Sequence, residues 1–148
     1  MKQLETAARK WGVPLTETEL NLFSRYAQMV LEKNSRLNIT SADTATEIFN
    51  RHIADGVYAF SVLRRYFGAD TRPVIADAGA GGGYIGVTLK ILMPNAHVVM
   101  LESVSRKCAF LNWVGAGLFL SDYEVMPLRL EKHSFPLNAD CVIERAMG

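Results

Sequence analysis

The chain has 148 residues, 49% of them apolar and 21% charged, with a net charge of +1. That length is enough for one domain with a real core, and the composition excludes a disordered chain. The charge balance excludes a uniformly basic nucleic-acid binder, so any such contact falls to local patches.

The N-terminal MKQLETAARKW is amphipathic without an apolar run, so no signal peptide is expected, and no stretch is long and apolar enough to span a membrane. In LTETEL, Thr16 offers an N-cap and Glu19 completes a capping box. Leu20, Phe23, Tyr26, Val30 and Leu31 follow at helical spacing, which predicts a helix to about Asn34, broken by RLNIT. Asp43 or Thr44 caps the next helix, with Ile48, Phe49 and Ile53 on one face. The helical pattern continues through VYAFSVLRRYF, and Gly68 ends it.

After Arg72-Pro73 the period changes. VIAD reads as a short buried strand, GVTLKILM as a helix closed by Pro94, and HVVMLES as a second strand. SRKCAFLNWVGAG reads as a helix ending at Gly115 or Gly117, YEVM as a third strand, PLRLEKH as a short helical turn or loop, and DCVIER as a fourth strand. Strands alternating with helices predict right-handed crossovers and a parallel sheet covered on both faces. The expected division is a helical cap over residues 1–70 and a Rossmann-like core over residues 71–148. In such sheets the ligand lies beyond the carboxyl ends of the strands. The glycine loop, Glu102, the segment from Arg129 to Glu131, and Arg145 all fall there. Cys108 in a helix and Cys141 in a strand form no metal-type pair and read as free buried thiols of a reducing cytosol.

The loop VIADAGAGGGYIG holds five glycines and can be read in two registers. Gly81, Gly83 and Gly86 satisfy G-x-G-x-x-G, the dinucleotide fingerprint; Asp77, Gly79 and Gly81 satisfy D-x-G-x-G. A pyrophosphate at a helix N-terminus is disfavoured beside the Asp77 carboxylate. S-adenosylmethionine (SAM) has no phosphate, and its ammonium and sulfonium are attracted by a carboxylate, so Asp77 argues for SAM. Glu102 suits the ribose of either cofactor. The structural alternative is a tight strand-to-helix turn with no ligand.

With these residues in place, the chain resembles the GidB-type (RsmG) methyltransferases, which methylate N7 of a guanine in the 530 loop of bacterial 16S rRNA. The resemblance runs from about Leu15 to Ala146. NSRLNIT is similar to the family's N-K-x-x-N-L-T segment through Asn34, Asn38 and Thr40, and RHIADGV to R-H-x-x-D-S-x through Arg51, His52 and Asp55. DAGAGGGYIGVTL resembles D-V-G-S-G-x-G-x-P-G-x-x-L, LESVSRKCAFL resembles L-D-S-x-x-K-R-x-x-F-L, and RLE with ERA resembles R-V-E and S-R-A.

The resemblance implies a Rossmann-like SAM-dependent methyltransferase fold, a cytoplasmic enzyme, and 16S rRNA or the small ribosomal subunit as partner. It implies SAM contacts from Gly79, Tyr84, the Leu130-Glu131 pair and Arg145, beside Asp77, Gly81, Gly83 and Glu102, with the helical segment over the site and Arg145 near the reacting groups. Four departures stand out. Tyr84-Ile85 replaces an apolar-Pro pair, Ala109 replaces a basic residue, and Glu144 replaces a small Ser. The chain also stops at Gly148 where the family continues for further strands. The sheet is therefore expected to be incomplete, with a fourth strand exposed to self-association. SAM binding with weak methyl transfer is the expected behaviour.

Each residue also has a structural reading. His52 can be a core histidine held by Asp55, Arg51 can pair with Asp55 along one helix face, and Arg145 can be a solvated strand end. Arg106-Lys107 can be a solvated helix start or a phosphate contact. Arg64-Arg65 reads as surface, and Trp113, at helical spacing from Phe110, as core. Two other functions remain open: an NAD-dependent oxidoreductase domain, and a non-catalytic rRNA-binding or assembly module.

Overall fold

The structure, a computed structural model, describes residues 1–129 and 138–145. The helical part comprises α1 (Lys2–Lys10), α2 (Glu17–Leu37), α3 (Ala45–Glu47), a π-helical stretch (Ile48–Ile53) and α4 (Ala54–Leu63). The sheet part runs β1 (Val74–Ala78), α5 (Tyr84–Leu92), β2 (His97–Glu102), α6 (Ser105–Gly117), β3 (Tyr123–Pro127) and β4 (Cys141–Glu144).

The local signals for helix starts hold. Thr16 and Glu19 form the capping box, with the Thr16 N–H donating to the Glu19 carboxylate at 2.7 Å and the Glu19 N–H to the Thr16 hydroxyl at 3.3 Å. Thr44 caps α3 by accepting from the Glu47 N–H at 3.2 Å. Three boundaries differ from the sequence reading. Helix α2 continues to Leu37, because Asn38 closes it in the left-handed conformation with its N–H on the Asn34 carbonyl at 2.9 Å. The helix through Ile48 and Ile53 is π-wound rather than a plain α-turn, although Ile48, Phe49 and Ile53 are buried as the pattern requires. Helix α4 stops at Leu63, where Arg65 and Tyr66 bond three residues back and tighten the chain before Gly68.

All strand pairs are parallel, in the order β3-β2-β1-β4. Helix α5 carries the chain from β1 to β2 and helix α6 from β2 to β3, as right-handed crossovers demand. The order reverses between β1 and β4, where Asp77 is level with Ile143 and Ala78 with Glu144. That reversal opens a crevice at the carboxyl ends of these two strands. β3 and β4 are the edges of the described sheet.

One apolar cluster joins the helical part to the sheet: Phe23, Tyr26 and Val30 of α2 and Ile53 of the π-helical stretch belong with Ile75, Leu89, Met100 and Leu111. On the other face of the sheet, Ala76, Val99 and Leu101 form a smaller cluster with Met126 and Leu128. The position of the helical part over the carboxyl end of β1 therefore follows from shared burial, at roughly 25 cal/mol per Å² of apolar surface.

Candidate functional site

The turn after β1 is built from backbone conformations that side chains disfavour. Gly79, Gly81 and Gly83 have φ of 67°, 58° and 82°. Gly83 then caps α5, and Gly86 lies where a Cβ would run into the Asp77 carboxylate and the Met100 thioether. The close approach has a purpose in the local structure. Asp77, only 3% exposed, accepts the Gly86 N–H at 2.8 Å, so a carboxylate satisfies an N–H in the first turn of α5.

Burial pushes the Asp77 carboxyl up to about 6, against the opposing pull of the Gly86 N–H and Arg145, and nearby Glu102 raises it further. Glu102 ends β2 and is also buried. Its two oxygens accept the Gly81 N–H and the Val104 N–H, each at 2.8 Å, and so tie the glycine turn to the start of α6. Each of those oxygens keeps a second lone pair.

The helical part completes the site from above. The Tyr26 hydroxyl, on α2, donates to the Gly82 carbonyl at 2.6 Å in a buried contact. The Asn34 side chain accepts the Ile39 and Thr40 N–H groups at 2.9 and 3.0 Å and fixes the loop after α2. Thr40 Oγ1 then meets His52 Nε2 at 2.7 Å, which brings the two sequence motifs around Asn34 and His52 together. On its other side, His52 Nδ1 is 2.8 Å from Arg145 Nη2.

This geometry determines the histidine's tautomer. A guanidinium only donates, so His52 Nδ1 is the acceptor and the ring proton resides on Nε2. Thr40 Oγ1 therefore accepts from His52 as well as from the Ala42 N–H at 3.0 Å. Burial, then Arg145 and Arg51, push the His52 pKa down, with Asp55 opposing, which suits a neutral ring. The His52 ring stacks on Tyr84 at 4.2 Å between centroids and 15° between planes. The Arg145 guanidinium lies 5.8 Å from the centre of the same Tyr84 ring. Its Nη1 is 3.4 Å from Asp55 Oδ2, an ion pair without hydrogen-bond geometry. Asp55 thus holds Arg145, 90 positions along the chain, rather than the His52 ring or Arg51.

These groups surround a cleft of about 310 Å³ at the crevice between β1 and β4. Of the predicted residues, Asp77, Gly79, Gly81, Tyr84 and Arg145 line it. Glu102 reaches it through the Gly81 N–H, and Gly83 packs behind it against Leu111 and Met100. Leu130 and Glu131 lie outside the described residues. Arg145 Nη1, a buried polar atom of the lining, makes no hydrogen bond among the described residues, and Tyr84 Oη has only the neighbouring Thr40 hydroxyl beside it. Burial pushes the Tyr84 phenol up to about 12, with the Thr40 hydroxyl and Arg145 only partly offsetting it. The mouth is therefore chemically unfinished in a way that suits a polar ligand: a buried carboxylate for a cation, and a phenol and guanidinium for an anionic or neutral acceptor.

The sequence reading missed Tyr26, Ile39 and Ser41 as contributors and held Thr40 only as a motif residue, since only the folded helical part places them over the loop. Lys107 lines the cleft, whereas Arg106 faces a separate hollow beside Trp113. Trp113 itself is a correction. It is 36% exposed at the α2–α6 seam with Lys33 Nζ 4.6 Å above its ring, while Phe110 takes the core position. Helix α6 buries Cys108, Phe110, Leu111 and Val114, and Trp113 falls just past the edge of that face. Of the two thiols, Cys108 is buried and Cys141 half-buried. No described helix is long and apolar enough to cross a membrane.

A parallel sheet in this order, a glycine turn after β1 and acids ending β1 and β2 define a Rossmann-like α/β protein with the methyltransferase-type fold. The model of the GidB family, rRNA small subunit methyltransferase G, matches residues 19–148, and the chain belongs to that family. It is 37% identical over 131 residues to the ribosomal RNA small subunit methyltransferase G of Roseiflexus castenholzii, covering 88% of this chain and 54% of that protein. It is 38% identical over 140 residues to the protein of the same name from Aquifex aeolicus, covering 94% and 69%. With the one from Bacillus pumilus it shares 32% identity over 122 residues, covering 82% and 49%. The chain spans about half the length of most of these curated relatives.

Proposed function

We propose that the protein binds SAM in the cleft between β1 and β4 and takes part in methyl transfer to N7 of a guanine in the 530 loop of 16S rRNA. The observation that carries the cofactor is Asp77. Its carboxylate already occupies the N–H at the start of α5, where a dinucleotide would place its pyrophosphate. A cationic methionine end is attracted there and a phosphate is repelled. Membership of a family whose relatives are named for methylating small-subunit rRNA supports the substrate.

In this reading Asp77 receives the ammonium of the ligand, and the glycine turn lets the backbone approach it. Glu102 accepts from the ribose hydroxyls with the lone pairs left over from Gly81 and Val104. Arg145, fixed by His52 and Asp55 and lying over Tyr84, faces the ligand carboxylate or the target nucleotide. Leu130 and Glu131 take the adenine end. Bound SAM supplies an electrophilic methyl group. Guanine N7 has a free in-plane lone pair at neutral pH, so no general base is required. His52, with Nδ1 committed to Arg145 and its proton on Nε2, is not placed to be one. The residues need only align the base and keep water out, a task suited to Ile39, Thr40 and Ser41 above the cleft.

Calorimetry with SAM and with NADH tests the cofactor, and transfer of labelled methyl to deproteinised 16S rRNA and to assembled small subunits tests the reaction. Saturable SAM binding without NADH binding supports the reading. Preference for NADH overturns it in favour of an oxidoreductase domain, and SAM binding with no methyl acceptor restricts it to cofactor binding.

A further inference from the structure

Outside the cleft, α2 and α6 meet along a seam whose chemistry the site does not use. Two aromatic rings stand on it, each beside a cation from α2. Lys33 Nζ lies 4.6 Å from the Trp113 ring centre, and the Arg25 guanidinium lies 5.7 Å from that of Phe119. Arg106 shares a hollow with Trp113 and Lys33, and its neighbour Lys107 lines the cleft. The seam therefore begins at the mouth of the cleft. At 1.5 Å per residue, α6 carries it about 15 Å from Lys107 to Gly117.

Phe119 is held in a conformation that an ordinary surface residue would avoid. It occupies the position just past the C-cap of α6, with its N–H on the Ala116 carbonyl at 3.2 Å and the Leu120 N–H on the Gly115 carbonyl at 2.9 Å. Those two bonds form the helix stop that favours glycine, because φ there is left-handed. Here φ is 55° at a phenylalanine, and the residue is 84% exposed. The ring is not buried in the core, and the backbone conformation under it is strained.

We infer that this α2–α6 seam is a track for single-stranded RNA leading to the cleft, with Trp113 and Phe119 stacking bases and Arg25, Lys33 and Arg106 meeting phosphates. The inference rests on the proposed methyl transfer to rRNA and names the surface that would carry the substrate. Cations interleaved with exposed aromatic rings are the chemistry of unpaired strands, whose bases are free to stack. A net charge of only +1 leaves RNA contact to such a local patch. Among the residues lining the two hollows beside Trp113, Glu32 is the one acid, bonded to Lys33 Nζ at 2.5 Å. It opposes RNA there and so provides a test of sign.

The test is fluorescence anisotropy with a labelled single-stranded RNA of about 12 nucleotides and a duplex RNA of the same length. Phe119→Gly relieves the backbone conformation, so it should raise the melting temperature while weakening single-strand binding roughly five- to a hundredfold. Loss of affinity in a more stable protein is not loss of folding. Trp113→Ala should weaken binding by a similar factor with SAM affinity unchanged, and Glu32→Gln should strengthen binding and flatten with added salt. Equal affinity of the wild type and both aromatic variants overturns the track, as does tighter binding of the duplex. Self-association that Trp113→Ala abolishes, with RNA affinity intact, overturns it in favour of a protein contact. Methyl transfer to rRNA that persists unchanged in these variants defeats the track and leaves the proposed function standing. Absent SAM binding defeats the proposed function instead.

Discussion

Asp77→Asn separates the cost of the buried carboxylate from its use. Burial raises the Asp77 pKa from 3.8 to about 6, and at 1.36 kcal/mol per unit this amounts to about 3 kcal/mol. The sign follows from proton binding. A raised carboxyl pKa means that the folded state holds the proton more tightly than the unfolded chain does. Stability therefore falls as pH rises from about 4 to about 6, and above that window the full cost persists. Asparagine keeps an oxygen for the Gly86 N–H and removes the charge. Relative to the wild type, Asp77→Asn should gain up to about 3 kcal/mol at pH 8 and close to nothing at about pH 3. The same change removes the partner of the SAM ammonium and should weaken SAM by about 1–3 kcal/mol. In the wild type, SAM affinity should rise with pH through about 6 as the carboxylate ionises. Urea unfolding across this pH range and calorimetry with SAM at pH 5 to 8 measure both effects. A variant no more stable at pH 8 removes the desolvation argument, and unchanged SAM affinity removes Asp77 from the ligand site.

Gly86→Ala should destabilise the fold by roughly 1–3 kcal/mol, read from the urea midpoint, because its Cβ meets Asp77 and Met100. Glu102→Gln should weaken SAM binding by about 1–3 kcal/mol with the circular dichroism spectrum intact, since the amide turns a donor toward either the Gly81 or the Val104 N–H. An unaltered SAM affinity would remove Glu102 from the ribose. The imidazole of His52 should titrate below its ordinary value and show the proton on Nε2 by nitrogen-resolved NMR. Because its folded pKa is depressed, its contribution to stability is present above about 6.5 and declines as pH falls below that. A pKa at or above that value would contradict the Arg145 contact.

Much of this was legible because it is local. The capping box at Thr16 uses residues three apart, and the turn after β1 needs glycines wherever φ is positive, so both leave their mark in the string itself. The period switch after Pro73 announced a parallel sheet because β1 and β2, buried on both faces, read as short apolar runs, whereas the edge strands β3 and β4 keep every second residue or so exposed. What failed to appear depends on packing. The π-helical stretch at Ile48–Ile53 carries the same apolar residues an α-helix would, and the extra residue in its turn is decided by what it packs against. Trp113 and Phe110 lie one helical turn apart, yet three residues is enough rotation to put one in the core and the other on the seam.

The least legible part of the site is also the one that joins its pieces. His52 is 12 residues from Thr40 and 93 from Arg145, and no spacing rule connects them. The helix pattern offered Asp55 to His52 because they are one turn apart, but the fold brings the Arg145 cation between them and Asp55 takes the stronger charge. The consequence reaches back to the cofactor. Arg145 lowers the pKa of both Asp77 and His52, so one guanidinium at the end of β4 favours the ionised carboxylate and the neutral imidazole together. Removing Arg145 should therefore shift both groups toward their protonated forms near pH 6, which is the state least suited to receiving a cation in the cleft.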